Sequence, residues 1–135
     1  LAVVVTGVGT EAWLTALVGA AMSAPVVDLT GQTTLGGLAA LLRDAAVLVG
    51  NDTGSAHLAA AVGTPSVTVF LSGDPVRWAH PHARHRAVWA DVGCNPCPHL
   101  DCPIDHPCAA AVTVPQVLAE ARRALRAGPR RSAWP

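Results

Sequence analysis

The feature that most constrains this chain is an apolar, β-branched run that turns abruptly into a helix-forming segment. Residues 47–49 read Val-Leu-Val, residues 50–54 read Gly-Asn-Asp-Thr-Gly, and residues 56–62 are rich in alanine. Valine favours a strand, glycine permits a sharp turn, and alanine favours a helix. The sequence therefore predicts a strand, a tight turn and a helix in direct succession.

The same alternation of short apolar runs and helix-forming segments extends over most of the chain. Strands that alternate with helices are typical of a parallel sheet with right-handed crossover connections. We therefore predict an α/β, Rossmann-like domain in which a parallel sheet is flanked by helices. The predicted strands are residues 2–6, 25–29, 46–50, 66–70 and 87–90, and the predicted helices are residues 11–22, 35–43, 56–62 and 114–127.

Composition excludes several classes of protein. The 135 residues are 51% hydrophobic and 13% charged, which suits one domain with a buried core. Because the formal net charge is zero and no basic patch is evident, nucleic acid is not an expected partner. The apolar runs are short and interrupted, so no transmembrane segment is predicted. No signal peptide precedes the first predicted strand, and we expect a cytoplasmic location.

The predicted turn at Asp52 and Thr53 has the features of a ligand site. Open α/β sheets bind ligands at the carboxyl ends of their strands, where this turn is expected. The first N–H groups of the following helix lack intrahelical partners and suit a phosphate. A plainer interpretation is that Asp52 or Thr53 only caps the helix. His57, one turn later, is a polar residue that capping does not require.

Two stretches of the sequence carry a family resemblance. Residues 51–65 read Asn-Asp-Thr-Gly-Ser-Ala-His-Leu-Ala-Ala-Ala-Val-Gly-Thr-Pro, and residues 74–78 read Asp-Pro-Val-Arg-Trp. Together they resemble the nucleotide-sugar-binding half of glycosyltransferase family 9, the heptosyltransferase family. Residues 28–35 and the later cysteine-rich loop are similar in order and spacing. The resemblance implies the C-terminal half of a GT-B fold. It also implies metal-independent, inverting transfer of a heptose or related sugar from a nucleotide diphosphate sugar, with ADP-heptose expected, to a glycan acceptor in lipopolysaccharide biosynthesis.

The resemblance also implies roles for individual residues. Glu11 is expected to hold the ribose hydroxyls, and Asp52 to contact hydroxyls of the transferred sugar. His57 is expected to support the turn or to reach a phosphate. Plainer alternatives are that Glu11 only complements a helix dipole and that Asp74 only caps a short helix starting at Pro75. The full set of predicted donor-binding residues is Glu11, Gln32, Thr33, Asp52, Thr53, Gly54, Ser55, His57, Ser72, Gly73 and Asp74.

The chain starts directly in an apolar run, and we expect it to be a fragment. Members of the resembled family carry an acceptor-binding domain ahead of this point, with the catalytic base on that missing half. No catalytic residue is therefore predicted here, and the chain alone is expected to be inactive. The expected donor-binding domain covers residues 1–128, and residues 129–135 are predicted to form a flexible tail.

Histidines and cysteines are concentrated in the second half of the chain. His80, His82 and His85 are predicted to lie in a solvated connection and not to bind a metal. For the cysteine loop of residues 94–108, structural zinc, free thiols and disulfides all remain open. The resemblance implies only a structural role for this loop, and no cofactor is predicted for the reaction. The candidate zinc ligands are Cys94, Cys97, Cys102 and Cys108.

Two other functions stay open from the sequence. The first is a stand-alone nucleotide-binding module without transfer chemistry. The second is a zinc-stabilised interaction domain centred on the cysteine loop. Stoichiometric zinc without nucleotide binding would favour the second of these functions.

Overall fold

The computed structural model describes residues 1–99 and 101–128, and the chain forms two compact units, Leu1–Ala40 and Leu41–Pro135. The tail predicted for residues 129–135 lies outside the described residues. No helix in the described ranges is both long enough and apolar enough to cross a bilayer.

The first unit contains a two-stranded parallel sheet. Strand β1 (Val3–Val5) pairs with β2 (Val26–Asp28), so that Val3 lies opposite Val26. A 3₁₀ turn at Gly9–Glu11 leads into helix α1 (Ala12–Ala21), which connects the two strands. Helix α2 (Leu35–Asp44) starts in this unit and ends in the second.

The second unit contains a three-stranded parallel sheet in the order β3, β4, β5. Leu48 lies opposite Ser66, and Ser66 lies opposite His85. Two helices, α3 and α6, pack on this sheet. The elements are β3 (Leu48–Asn51), α3 (Gly54–Val62), β4 (Ser66–Val69), α4 (Pro75–Trp78), β5 (His85–Val88), α5 (Pro107–Ala111) and α6 (Val114–Ala127).

The core of the second unit is built around the central strand β4. Val67 is fully buried and packs with Val88 and Ala124, which ties β4 to β5 and α6. Phe70, just after β4, is also buried. Apolar burial of this kind stabilises by about 25 cal/mol per Å² removed from water. The position of β4 is therefore fixed, and the loop that leaves its carboxyl end starts from a rigid point.

Several local predictions are confirmed. The Thr34 hydroxyl accepts a hydrogen bond from the Gly37 N–H at 3.1 Å and caps α2. Gly63 ends α3 in the left-handed conformation, with φ of 82°, which glycine adopts without steric cost. Helix α6 has the predicted bounds. Each of these features is set by a signal within a few residues.

Other features differ from the prediction. The ladders form two sheets where one continuous sheet was predicted, because an apolar run indicates a strand but not its partner. Strand β5 starts at His85, two residues before the predicted start, since the polar residues His85 and Arg86 carry no strand signal of their own. Helix α5 was not predicted.

The buried hydroxyl of Thr64 gives a test of this packing. Thr64 is 1% exposed, and its Oγ1 donates a hydrogen bond of 2.6 Å to the carbonyl of Leu42. Thr64→Val keeps the shape but removes this hydrogen bond, and the Leu42 carbonyl then accepts only the Ala45 N–H, at 3.0 Å. We expect urea denaturation to show a loss of about 0.5–1.5 kcal/mol in unfolding free energy, the net contribution of one buried hydrogen bond. The same change at the exposed Thr10 should alter stability by less than about 0.5 kcal/mol. Equal effects at both positions would show that the buried hydrogen bond contributes nothing.

Candidate functional site

The candidate site is built where β3 ends and α3 begins. The Asp52 N–H donates to the carbonyl of Val69 at 3.1 Å, which extends the pairing of β3 and β4 to the start of the turn. Thr53 then adopts an extended backbone, with φ of −143° and ψ of 177°, and occupies the N-cap position of α3. Because β3 and β4 are parallel, the loop after β4 leaves the sheet at the same edge.

The N-terminus of α3 is open. Among the described residues, no side chain makes a capping hydrogen bond to it, and the hydroxyls of Thr53 and Ser55 instead bond each other at 3.0 Å. Apart from its two chain neighbours and the backbone of its own helix, no described atom lies within 4 Å of the position where a Cβ on Gly54 would stand. Thr53 thus occupies the N-cap position, but the side-chain capping expected in the plainer interpretation is not made. The first N–H groups of α3 remain available to an anionic ligand.

Asp52 is held against the loop that follows β4. A Cβ built on Gly73 would stand 2.5 Å from Oδ2 of Asp52 and 3.5 Å from Cδ1 of Phe70. A carbon and an oxygen cannot approach so closely, so any side chain at position 73 would displace this carboxylate from its position. The structure thus brings together the predicted residues Asp52 and Gly73.

The neighbouring residues of that loop serve local structure. Oδ1 of Asp74 accepts hydrogen bonds from the Val76 N–H at 2.9 Å and the Arg77 N–H at 3.4 Å. The capping interpretation of Asp74 is therefore confirmed. The carbonyl of Ser72 accepts a hydrogen bond from the Cys97 N–H at 2.9 Å. A donor contact by Ser72 or Asp74 stays a prediction.

A cluster of histidines lies beside the turn. Nδ1 of His57 is 3.0 Å from Nε2 of His80, and the ring of Trp78 meets His57 edge-on at 6.0 Å. Nδ1 of His85 is 2.9 Å from the Ser66 hydroxyl, and its ring lies 5.5 Å from that of His80. The prediction of a solvated connection is therefore wrong for His80 and His85, which are partly buried, and holds for the exposed His82.

Burial and neighbouring positive charge act on two of these rings. Burial lowers the pKa of His80, and the imidazole of His57 lowers it further. Burial, and then the charges of His80, Arg84 and His82, lower the pKa of His85 to about 4. Both rings are therefore neutral near pH 7. A small cavity beside them is lined by Asp52, Ala56, Thr68, Phe70, Trp78, Ala79, His80, His85, Arg86 and Ala87.

The first unit holds the other predicted residues at the carboxyl ends of β1 and β2. Oε2 of Glu11 accepts a hydrogen bond from the Val8 N–H at 2.9 Å. The Gln32 amide donates to the carbonyl of Asp28 at 3.1 Å. Thr33 precedes the cap residue Thr34 and is partly buried. Glu11 and Gln32 thus support their own turns, and any contact of theirs with a nucleotide stays a prediction.

The cysteine loop is attached to the loop after β4. Asn95 was missed by the sequence analysis, since nothing in its neighbourhood signals a role. Its amide donates to the carbonyls of Ala90 at 2.8 Å and Leu71 at 3.4 Å, and its oxygen accepts from the Val92 N–H at 3.2 Å. This agrees with a structural role for the loop.

The four thiols of the loop are unpaired, so the disulfide alternative is not realised in the structure. Across residues 1–99 and 101–128, no three His, Cys, Asp or Glu residues are arranged to hold a metal ion. Zinc binding by the loop stays a prediction.

A larger groove, of 360 Å³, lies between β5 and α6 and contains no predicted site residue. The charged residues that line it are Glu120 and Arg123. Arg86 bonds Glu120 at 2.6 Å, and Arg123 forms a second ion pair with the same carboxylate. The hydrogen bond from Arg86 holds the pKa of Glu120 below its usual value. The Glu120 carboxylate is thus paired with two guanidinium groups, which distinguishes this groove from the open turn at α3.

The sequence is similar to one family of known proteins. A model of glycosyltransferase family 9 (heptosyltransferase) matches residues 3–107. Over 54 residues, or 40% of the chain, the sequence is 41% identical to lipopolysaccharide heptosyltransferase 3 of Escherichia coli. It is 39% identical over 54 residues to the protein of that name from strain K12. The matched segment covers only 16% of each relative.

A solved structure resembles the fold over nearly the whole chain. The crystal structure of the glycosyl transferase family 9 from Veillonella parvula DSM 2008 matches with a TM-score of 0.76 at 19% identity. The match covers 93% of this chain and 37% of that one. Together with the parallel sheets flanked by helices, it confirms the predicted α/β fold class, and it is consistent with part of a GT-B fold.

The lowered pKa of His85 predicts how stability depends on pH. In the unfolded chain His85 takes up a proton near its ordinary pKa of 6.5, whereas in the folded chain it does so only near 4. Between these two pH values the unfolded state thus binds more protons than the folded state. The free energy of unfolding is therefore highest above pH 6.5 and falls as the pH is lowered from 6.5 towards 4. Urea denaturation should show decreasing stability from pH 7 to pH 5.

Two variants isolate the histidine responsible. His85→Gln should reduce the slope of stability against pH, while His82→Gln, at an exposed neighbour, should leave it almost unchanged. A wild-type stability that is constant between pH 7 and pH 5 would contradict the prediction. The window stops at pH 5 so that carboxyl titration contributes little.

Proposed function

This chain belongs to glycosyltransferase family 9, and from that premise we propose that it is the donor-binding part of an inverting glycosyltransferase. The proposed donor is a nucleotide diphosphate sugar, with ADP-heptose or a related compound as the substrate. The sugar is transferred to a glycan acceptor, as the name of the lipopolysaccharide heptosyltransferase relatives suggests. The observation that carries the proposal is the open N-terminus of α3.

That N-terminus suits a diphosphate. The N–H groups that begin a helix point along its axis, and the helix dipole places about half a positive charge at this end. When the bond between sugar and diphosphate breaks, negative charge builds up on the departing diphosphate. Fixed N–H donors at Gly54 and Ser55 stabilise this charge without having to reorganise. The open space above Gly54 gives a phosphate oxygen room to approach.

Asp52 is the proposed contact for the sugar. Its carboxylate would repel a phosphate but can accept hydrogen bonds from sugar hydroxyls. The lack of a side chain at Gly73 allows this carboxylate to lie beside the loop after β4. Its position at the end of β3, one residue before the N-cap of α3, places it next to the N–H groups assigned to the diphosphate.

The nucleoside contacts are assigned to the first unit. There the Gly31 N–H donates to the carbonyl of Gly7 at 2.9 Å, which joins the turn after β2 to the turn after β1. Glu11 is the proposed partner of the ribose hydroxyls, and Gln32 and Thr33 are the proposed neighbours of the base. Since the Gln32 amide already bonds the main chain, its contact with the base would use backbone atoms.

We also propose that the acceptor site and the catalytic base lie outside these 135 residues. The chain spans 37% of the Veillonella structure, which leaves most of that protein unmatched. The acidic side chains of the turn and loop have other assignments here, Asp52 to the sugar and Asp74 to the cap of α4. The chain alone should therefore bind donor and transfer nothing. Supplying the rest of the protein should restore transfer.

Gly54→Val tests the diphosphate site. Because no described atom beyond its chain neighbours and its own helix backbone lies within 4 Å of the new Cβ, the variant should fold with little loss of stability. Its side chain would, however, occupy the space proposed for phosphate. Titration of the wild-type chain with ADP should shift the amide NMR signals of residues 54 and 55, and the variant should show no saturable binding.

Gly19→Val is the matched control, since its Cβ also meets nothing within 4 Å and it lies within α1. This variant should bind ADP as the wild type does. Signals that do not move in the wild type at millimolar ADP would refute the proposed donor site.

Gly73→Ala tests the role of Asp52. The new methyl group would force the Asp52 carboxylate to rotate away, which is cheap for stability because a carboxylate is the end of a flexible side chain. We expect the variant to bind ADP normally but to bind the nucleotide sugar about tenfold more weakly, the cost of about one hydrogen bond to a charged group. Isothermal titration with both ligands makes this comparison. Equal losses for ADP and the nucleotide sugar would instead assign Asp52 to the nucleotide part.

A further inference from the structure

The contact between His57 and His80 is not used by the function proposed so far. His57 lies in the first turns of α3, and His80 follows α4, 23 residues later. Their rings meet edge to face, with centroids 5.1 Å apart, and Nδ1 of His57 is 3.0 Å from Nε2 of His80. That distance is a hydrogen bond, so one of the two nitrogen atoms carries a proton and the other accepts it.

This bond leaves Nε2 as the other polar atom of the His57 ring. If the neutral His80 donates from Nε2–H, Nδ1 of a neutral His57 accepts, and the proton of His57 must then be on its own Nε2. If His57 is an imidazolium, it donates from Nδ1 to the neutral His80 and still has a proton on Nε2. In the third arrangement, a neutral His57 donates from Nδ1 to Nε2 of His80 and has no proton on its own Nε2, so it could not donate to a phosphate oxygen.

The surroundings of His80 favour this arrangement. Burial and the neighbouring His57 lower the pKa of His80, so that it is the neutral member of the pair. The titratable or charged groups around His80 come from several elements. They are His57 on α3, His85 and Arg86 on β5, and Asp52, which lines the same cavity as His80. Burial is the larger of the two effects that oppose a positive charge on His80, and the neighbouring His57 is the smaller.

We propose that His80 is a positioning residue: its hydrogen bond to Nδ1 fixes the ring of His57 so that Nε2–H is presented to a phosphate oxygen of the nucleotide-sugar donor. This inference rests on the function proposed above. It assigns a role to a residue outside the turn that begins α3. His80 itself does not touch the donor in this arrangement, and it acts only through His57.

Three variants of the full 135-residue chain separate positioning from packing. His80→Phe keeps an aromatic ring but removes the hydrogen bond. His80→Gln keeps a group that can both donate and accept. His82→Phe is the control, because His82 belongs to the same cluster and is exposed and not bonded to His57. Each is titrated with ADP by NMR. Long-range ¹H–¹⁵N spectra of the His57 ring report which nitrogen carries the proton.

In the wild-type complex with ADP, Nε2 of His57 should be protonated and Nδ1 hydrogen-bonded. His80→Phe should bind ADP about tenfold more weakly, because the His57 ring is no longer held in place for its hydrogen bond to the phosphate. The same variant should show a mixture of His57 tautomers. His80→Gln should restore both affinity and tautomer to near wild type. His82→Phe should change neither. If the Phe variant does not fold, His80→Ala carries the same expectations.

The outcomes distinguish the two proposals. Absence of any ADP response in the wild type would overturn the donor site and this inference with it. A wild type that binds ADP while Nε2 of His57 is unprotonated would overturn only the positioning role. A His80→Phe variant with wild-type affinity for ADP and an unchanged His57 tautomer would also overturn only the positioning role.

Discussion

The structure of this site depends on one constraint: the turn between β3 and α3 begins a helix without a side-chain cap among the described residues. A helix end without a cap leaves N–H groups unsatisfied, which costs free energy unless water or a ligand supplies an acceptor. Thr53 has the backbone of an N-cap but bonds Ser55 through its hydroxyl. The helix therefore lacks about 1 kcal/mol of stabilisation that a side-chain cap would contribute at this position. A helix start without a cap is expected where an anionic ligand binds the N–H groups.

The rest of the second unit fixes the positions of the segments on either side of this turn. Strand β4 is the most buried strand, so the adjoining ends of β3 and the loop after β4 start from fixed points. The loop then approaches closely enough that any side chain at position 73 would displace the Asp52 carboxylate. Asp74 restrains the loop by capping α4, and Asn95 restrains it from the other side through the carbonyl of Leu71. Rigid support of this kind lets a ligand contact be specific, because little order has to be gained on binding.

The parts that sequence reasoning could predict are those determined by near neighbours. The caps at Thr34 and Asp74, the helix end at Gly63 and the family resemblance all depend on short stretches of sequence. The parts that it missed join distant residues. No local signal connects His57 with His80, or Ser66 with His85, because these contacts depend on the pairing of strands and the path of loops. The turn itself could be predicted from the sequence, whereas the partial burial of His80 and His85 and their lowered pKa values required the structure.

Three arginines from α4 and from the start of β5 and the loop before it all have partners within the protein. Arg86 is paired with Glu120, Arg84 donates to the carbonyl of Gly63 at 3.3 Å, and Arg77 lies over the ring of Trp78 at 5.0 Å. These guanidinium groups thus have structural partners and are not free to move to a diphosphate without breaking them. In the proposed site, the positive potential for an anion then comes from the N–H groups and the helix dipole at the start of α3. The proposed site would hold a phosphate by charge that is fixed in direction and modest in size, so that a departing diphosphate would be stabilised without being retained afterwards.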